Sequence, residues 1–220
     1  MIVFDANNPF PLLDLNSYTY QEAQEHSLKV DEHLGFQCES IEAKIRASSK
    51  ESSLTQQNWE HLSVQAFQTP YVEIHNILDL LSLQAGDIIV DLGCAYARMA
   101  LVIQRHYPDL QFMGYELENR RVEEAQRILG SPDALILIQS ADLAAENFHL
   151  PSADVYFIFD YGTETNVRKT LQDLQEVARS RRIQVVGRGR LTRFLIHKEH
   201  PWLSEVQEPS HYTHFSIYRS

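Results

Sequence analysis

The sequence predicts an α/β protein: a doubly wound, mostly parallel sheet with an N-terminal helical appendage. Two observations predict the sheet. Short unbroken apolar runs recur from residue 88 to residue 187, and strands buried on both faces read in that way. Between the runs lie segments with helical spacing, so the chain repeats β-α-β units, which build a parallel sheet covered by helices. A third observation predicts the appendage. The first 68 residues are polar, acidic and rich in Gln, Ser and His.

In that first part Tyr20, Ala23, Ser27, Val30 and Leu34 fall near one helical face, and Trp59, Leu62 and Ala66 on another. Ala47–Gln57 reads as a loop or linker. The character changes at Thr69, which divides the chain into residues 1–68 and 69–220. Thr69-Pro70 reads as a helix start, with Thr as capping hydroxyl and Pro at the first helical position. Ile74, Ile77, Leu78 and Leu81 then mark one buried face. Gly86-Asp87 turns the chain into a strand, Ile88–Leu92.

Ala97, Ala100 and Leu101 open a helix that stops near Pro108. Gln111–Glu116 is a strand, and Val122, Ala125 and Leu129 mark a helix ending at Gly130. Ala134–Gln139 and Val155–Asp160 are strands. Val167, Leu171, Leu174 and Ala178 mark a helix before the strand Ile183–Gly187. Leu191–His197 and His214–Arg219 lack helical spacing and are expected to add an antiparallel pair.

Bulk properties bound the function. The chain has 220 residues, 44% hydrophobic and 22% charged, which excludes wholesale disorder, a collagen-like chain and a coiled-coil rod. No stretch approaches the roughly 20 apolar residues of a spanning helix. The opening MIVFDANNPF has neither a basic flank nor an apolar run, so no signal peptide is expected. Two cysteines, Cys38 and Cys94, suggest no disulfide framework, and a cytoplasmic setting is expected. The net charge of −11 disfavours generic nucleic-acid binding. From Arg168 to Lys198, however, nine Lys and Arg face only Asp173 and Glu176. That stretch is either a solvated surface or a docking face for an acidic partner. His197-x-x-His200 and His211-x-x-His214 have no nearby cysteine, so no metal site is expected.

Ligands of such sheets bind beyond the carboxyl ends of the strands. The first such loop reads Asp91-Leu92-Gly93-Cys94-Ala95-Tyr96-Ala97-Arg98. A nicotinamide-type G-x-G-x-x-G would need its third glycine where Arg98 stands. Small residues at every second position, Gly93, Ala95 and Ala97, fit instead the D-x-G-x-G-x-G pattern of S-adenosylmethionine (SAM) enzymes, with two glycines replaced by alanine. The second strand ends at Glu116, 23 residues after Gly93. A carboxylate there is placed to accept both hydroxyls of a ribose. Asp142, just past the third strand, can accept an adenine amino group while Leu143 covers the ring. Asp160 and Tyr161, at the end of the fourth strand, can orient a nucleophile or cap and pack a helix.

Residues 69–187 resemble class I SAM-dependent methyltransferases. Three segments carry a narrower resemblance: Thr69-Pro70-Tyr71, Asp91-Leu92-Gly93 through Arg98, and Gly114-Tyr115-Glu116-Leu117-Glu118-Asn119. They are similar to the small protein-lysine methyltransferases of the ATP-synthase c-subunit type, distantly akin to the non-SET histone lysine enzymes. The resemblance implies a Rossmann-like fold, SAM as cofactor and a protein side-chain amine as methyl acceptor. It implies that Asp91, Gly93 and Ala95 hold the methionine part, Glu116 the ribose, and Asp142 with Leu143 the adenine. Tyr71, Cys94 and Leu117 complete the implied cofactor set, and Asp160 and Tyr161 the catalytic one. No membrane partner is expected. An RNA or small-molecule acceptor, the former docked on the basic 179–193 region, and a non-catalytic adenosine-ligand module remain the other readings.

Overall fold

The computed structural model describes residues 1–49, 63–130 and 133–220. Within them the chain runs α1 (Tyr20–Leu34), α2 (Cys38–Ser49), α3 (Val64–Phe67), α4 (Tyr71–Leu80), β1 (Ile88–Leu92), α5 (Arg98–His106), β2 (Gln111–Glu116), α6 (Asn119–Leu129), β3 (Ile136–Ser140), β4 (Val155–Phe159), α7 (Glu164–Ala178), β5 (Gln184–Arg188), α8 (Arg190–Glu199), β6 (Ser210–His211) and β7 (Phe215–Arg219). The sheet has seven strands in the order β3-β2-β1-β4-β5-β7-β6. Strands β1 to β5 pair in parallel, and β7 lies antiparallel between β5 and β6. This is the doubly wound, mostly parallel sheet expected, and β1 to β5 lie within two residues of the apolar runs.

Alternate residues of each strand feed two cores. Ile89, Phe112, Phe157 and Val186 pack on one face with α4, α5 and α6. Val90, Leu92, Tyr156 and Ile158 pack on the other with α7 and α8. Phe10 and Val30, from the N-terminal segment, join the first core. Strand order reverses at β1, which has β2 on one side and β4 on the other. A reversal of this kind opens a crevice beyond the strand ends.

Three expectations are corrected. Leu191–His197 is helix rather than strand. Thr192, Leu195 and Ile196 form its buried face, and the polar Thr192 in that stripe hides the helical period. The antiparallel partners of β7 are instead β5 and the two-residue β6. The Thr69 hydroxyl does not cap α4. Pro70 is the N-cap, and the Tyr71 N–H donates to Ser27 Oγ of α1 at 3.2 Å. Ala47–Ser49 belongs to α2 rather than to a loop; the rest of the expected linker through residue 57, with Trp59 and Leu62, lies outside the described residues. No helix among the described residues is long and apolar enough to cross a membrane.

Candidate cofactor site

The loop after β1 explains its own composition. Gly93, Ala95 and Ala97 have φ of 87°, 48° and 52°. All three occupy the left-handed region, which costs an L-residue about 1–2 kcal/mol and glycine little. The alternating small residues are therefore a backbone requirement. A Cβ on Gly93 would stand 2.3 Å from Tyr161 Cβ, so only glycine fits there. The loop is tied to β2: Gly93 and Cys94 N–H donate to the Tyr115 carbonyl, both at 2.9 Å, and Ala95 N–H donates to Glu116 Oε2 at 2.9 Å.

Between this loop, α4, α5 and the end of β4 lies a small open cleft. Gln68, Asp91, Gly93, Ala95, Arg98 and Phe159 are among its lining residues. Asp91 is buried, and no donor among the described residues reaches its carboxylate. Burial, and then the neighbouring Glu116, push its pKa up to about 8. A buried carboxylate without a donor is costly. A cationic group in the cleft would relieve that cost.

Glu116 is also buried but well supplied. Oε2 accepts from Ala95, and Oε1 accepts from the Glu118 N–H at 3.0 Å and from Arg121 Nη1 at 3.4 Å. Arg98, where a nicotinamide loop would need glycine, is 3% exposed. Its guanidinium pairs with Asp31 of α1, donates to Gln65 Oε1 at 2.8 Å and lies over the Tyr71 ring. Tyr71 stands behind Arg98, donating its O–H to Asp31 Oδ1 at 2.9 Å. It is absent from the cleft wall.

Leu117 is half exposed beyond β2, Leu143 is buried, and Asp142 accepts the Ala144 N–H at 2.9 Å. The Ala141 N–H donates to the Glu116 carbonyl at 2.9 Å, which ties the start of this loop to the end of β2. Asp160 and Tyr161 lie at the end of β4 with occupied polar groups. Asp160, at φ 32°, accepts the Leu191 and Thr192 N–H groups and the Thr192 hydroxyl, at 3.2, 2.8 and 2.8 Å, and so caps α8. The Tyr161 hydroxyl pairs with Thr170 and the Asn166 carbonyl on α7, and burial pushes its pKa up to about 12.

Three residues of the N-terminal segment at this site were not anticipated. Asp31 holds Arg98, and Glu42 holds Arg121. Gln68 is 4% exposed, and its carboxamide nitrogen has no partner among the described residues. No local motif marks Asp31 and Glu42, since each acts through an arginine distant in the chain. Five of the nine basic residues of the 168–198 stretch pair with carboxylates within the molecule. Arg168 pairs with Glu164 and Glu199, Lys169 with Asp173, Arg179 with Glu176, Arg181 with Asp154 and Arg188 with Glu73.

No protein-family model matches this chain, and no curated protein matches it. Solved structures with a similar chain path include an RNA methyltransferase from Salinibacter ruber in complex with S-adenosyl-L-homocysteine (17% identity, TM-score 0.46, 69% of this chain and 90% of that chain). An S-adenosylmethionine-dependent methyltransferase from Mesorhizobium loti is similar at 24% identity and a TM-score of 0.40, over 52% of each chain. SAM-bound CalS10, an amino pentose methyltransferase from Micromonospora echinaspora, is similar at 14% identity and a TM-score of 0.41, over 54% of this chain and 48% of that one. At these scores the likeness does not bear on chemistry, which rests on this chain's own residues.

Proposed function

We propose that this chain is a SAM-dependent methyltransferase acting on a protein side-chain amine, a lysine, in a reducing cytoplasmic setting. The observation that carries the reading is Asp91: a largely buried carboxylate that no donor among the described residues reaches, in a cleft at the switch point of a doubly wound sheet. It suits the ammonium of an amino acid. When bound, SAM would supply an electrophilic methyl group on a sulfonium. Asp91 accepts the ammonium, Gly93, Cys94 and Ala95 floor the cleft, and Glu116 accepts the ribose hydroxyls. Leu117, Asp142 and Leu143 edge the adenine. Arg98, buried and paired, stands where a nicotinamide loop needs a third glycine.

The division of the chain at residue 68 belongs to the same proposal, with residues 69–220 carrying the cofactor. The acceptor amine must be neutral to attack, so Asp160 is proposed to receive its proton and Tyr161 to help orient it. For Asp160 that role requires release of one α8 donor. Three of the six arginines of the 179–193 region pair with carboxylates inside the molecule, which reduces the positive charge an RNA backbone would meet. One observation favours RNA: Phe194 is 54% exposed on α8, with the Lys198 ammonium 5.3 Å from its ring centre, and such aromatic–cation faces stack bases.

The test is thermal shift with S-adenosylhomocysteine (SAH) and NAD, followed by tritiated SAM with purified protein and cell lysate. SAH raises the melting temperature by mass action and NAD does not; the label enters a protein band. A shift with NAD alone overturns the cofactor reading. Label in RNA overturns the acceptor, and SAH binding without any label makes the chain a binding module.

A further inference from the structure

The Glu116 carboxylate has about four lone-pair positions. Ala95 N–H takes one at 2.9 Å and Glu118 N–H another at 3.0 Å. A ribose diol needs the remaining two. The other donor on Glu116 among the described residues is Arg121, whose Nη1 lies 3.4 Å from Oε1. That contact is long because the rest of the guanidinium is engaged elsewhere. Glu42, on α2, accepts Arg121 Nε at 2.8 Å and Nη2 at 3.0 Å. This is the two-pronged geometry in which arginine binds carboxylate most strongly. Glu42 is itself held: it is 5% exposed, and the Tyr96 hydroxyl donates to its Oε1 at 2.8 Å. The Arg121 guanidinium also lies 4.8 Å over Phe67, a residue of the cleft wall.

We propose that Glu42 is a positioning residue for the cofactor site: by engaging the fork of Arg121, it limits the guanidinium to one long contact with Glu116, so that a ribose diol finds one lone pair open and has only that 3.4 Å contact to displace for the second. The inference rests on the reading of Glu116 as ribose acceptor. Without Glu42, the carboxylate nearest Arg121 is Glu116. The fork turns onto it and occupies the positions that the hydroxyls need. Selectivity for a ribose is then set by a helix of the N-terminal segment, 74 residues before the carboxylate it serves.

The test is equilibrium binding of SAH and its 2′,3′-dideoxy analogue to the full chain. Wild type prefers SAH by about tenfold or more, as expected for hydroxyls on a charged acceptor. Glu42→Gln, which keeps the side-chain shape, loses about tenfold in SAH affinity, binds the dideoxy ligand as before, and so loses the preference. Glu42→Gln with Arg121→Gln has the same net charge as wild type across this cluster and no competing guanidinium; it regains the preference. A Glu42→Gln variant that keeps the full preference, or weakens both ligands equally, overturns the proposal. So does a double variant without the preference, and this arm decides alone if the single variant does not fold. Wild type that binds SAH without regard to the hydroxyls removes the Glu116 assignment and this proposal with it. Wild type that binds no SAH overturns the cofactor reading itself.

Discussion

Replacing Asp91 by Asn is expected to make the ligand-free protein more stable and a poorer binder. Burial, with Glu116 nearby, pushes the Asp91 pKa from 3.8 to about 8. In the folded protein at pH 7 the group holds a proton that the unfolded chain has released. The stability associated with this group is complete below about pH 4, falls as pH rises, and is lost by about pH 8. At about 1.4 kcal/mol per unit, the three units between 3.8 and 7 cost about 4 kcal/mol. Asparagine avoids that cost but buries an amide with incomplete hydrogen bonding, which returns about 1–3 kcal/mol. The net gain at pH 7 is about 1–3 kcal/mol, or roughly 5 °C in melting temperature for a chain of this length.

The same substitution removes the charge that meets the ligand ammonium, so SAH binds about 10- to 150-fold more weakly. Wild-type affinity rises with pH up to about 8, as Asp91 ionises, whereas the Asn variant shows no such rise. Scanning fluorimetry from pH 4 to 8 and calorimetric titration with SAH read both effects. The stability advantage vanishes at pH 4. An Asn variant that melts below wild type at pH 7, or binds SAH equally well, refutes the reasoning.

Two further predictions concern the loop and the acceptor edge. Gly93→Ala combines a left-handed φ of 87° with a Cβ 2.3 Å from Tyr161 Cβ, so it costs about 3 kcal/mol or more; Gly35→Ala, with φ 77° and nothing within 4 Å, costs only about 1 kcal/mol. Equal melting temperatures for the two variants contradict the packing argument. Asp160→Asn keeps one oxygen to accept from Thr192 but sets an amide against the Leu191 N–H and loses about 1–3 kcal/mol, while turnover falls about 100-fold or more if the carboxylate receives the acceptor proton. Wild-type turnover in this variant leaves Asp160 as a cap alone.

The placement of residues at the two ends of the candidate site was legible to different degrees. Asp91, Gly93 and Glu116 stand where strand–loop–helix reasoning puts them, because the strands around them are short apolar runs with nearby turn residues. The α8 segment was not legible, since a polar Thr192 lies in its buried face and the carboxylate that accepts the Thr192 N–H, Asp160, is 32 residues upstream. The capping of α4 was misread for a related reason: Ser27, far away in the chain, supplies the oxygen that Thr69 was expected to give.

The sequence alone determined the alternation of strand and helix, the parallel sheet and the loop of small residues at its switch point. These depend on local periodicity and on which residues tolerate a positive φ, and both are written in neighbouring positions. Only the tertiary structure decided what the N-terminal segment does. Asp31 and Glu42 reach Arg98 and Arg121 across 67 and 79 residues of chain. Ion pairs of that separation leave no periodic trace, because each partner reads locally as an ordinary charged residue on a helix. Whether such a charge faces water or is buried against an arginine depends on how the helices dock, and docking is settled by the packing of Phe10, Val30 and Tyr71 in a shared core.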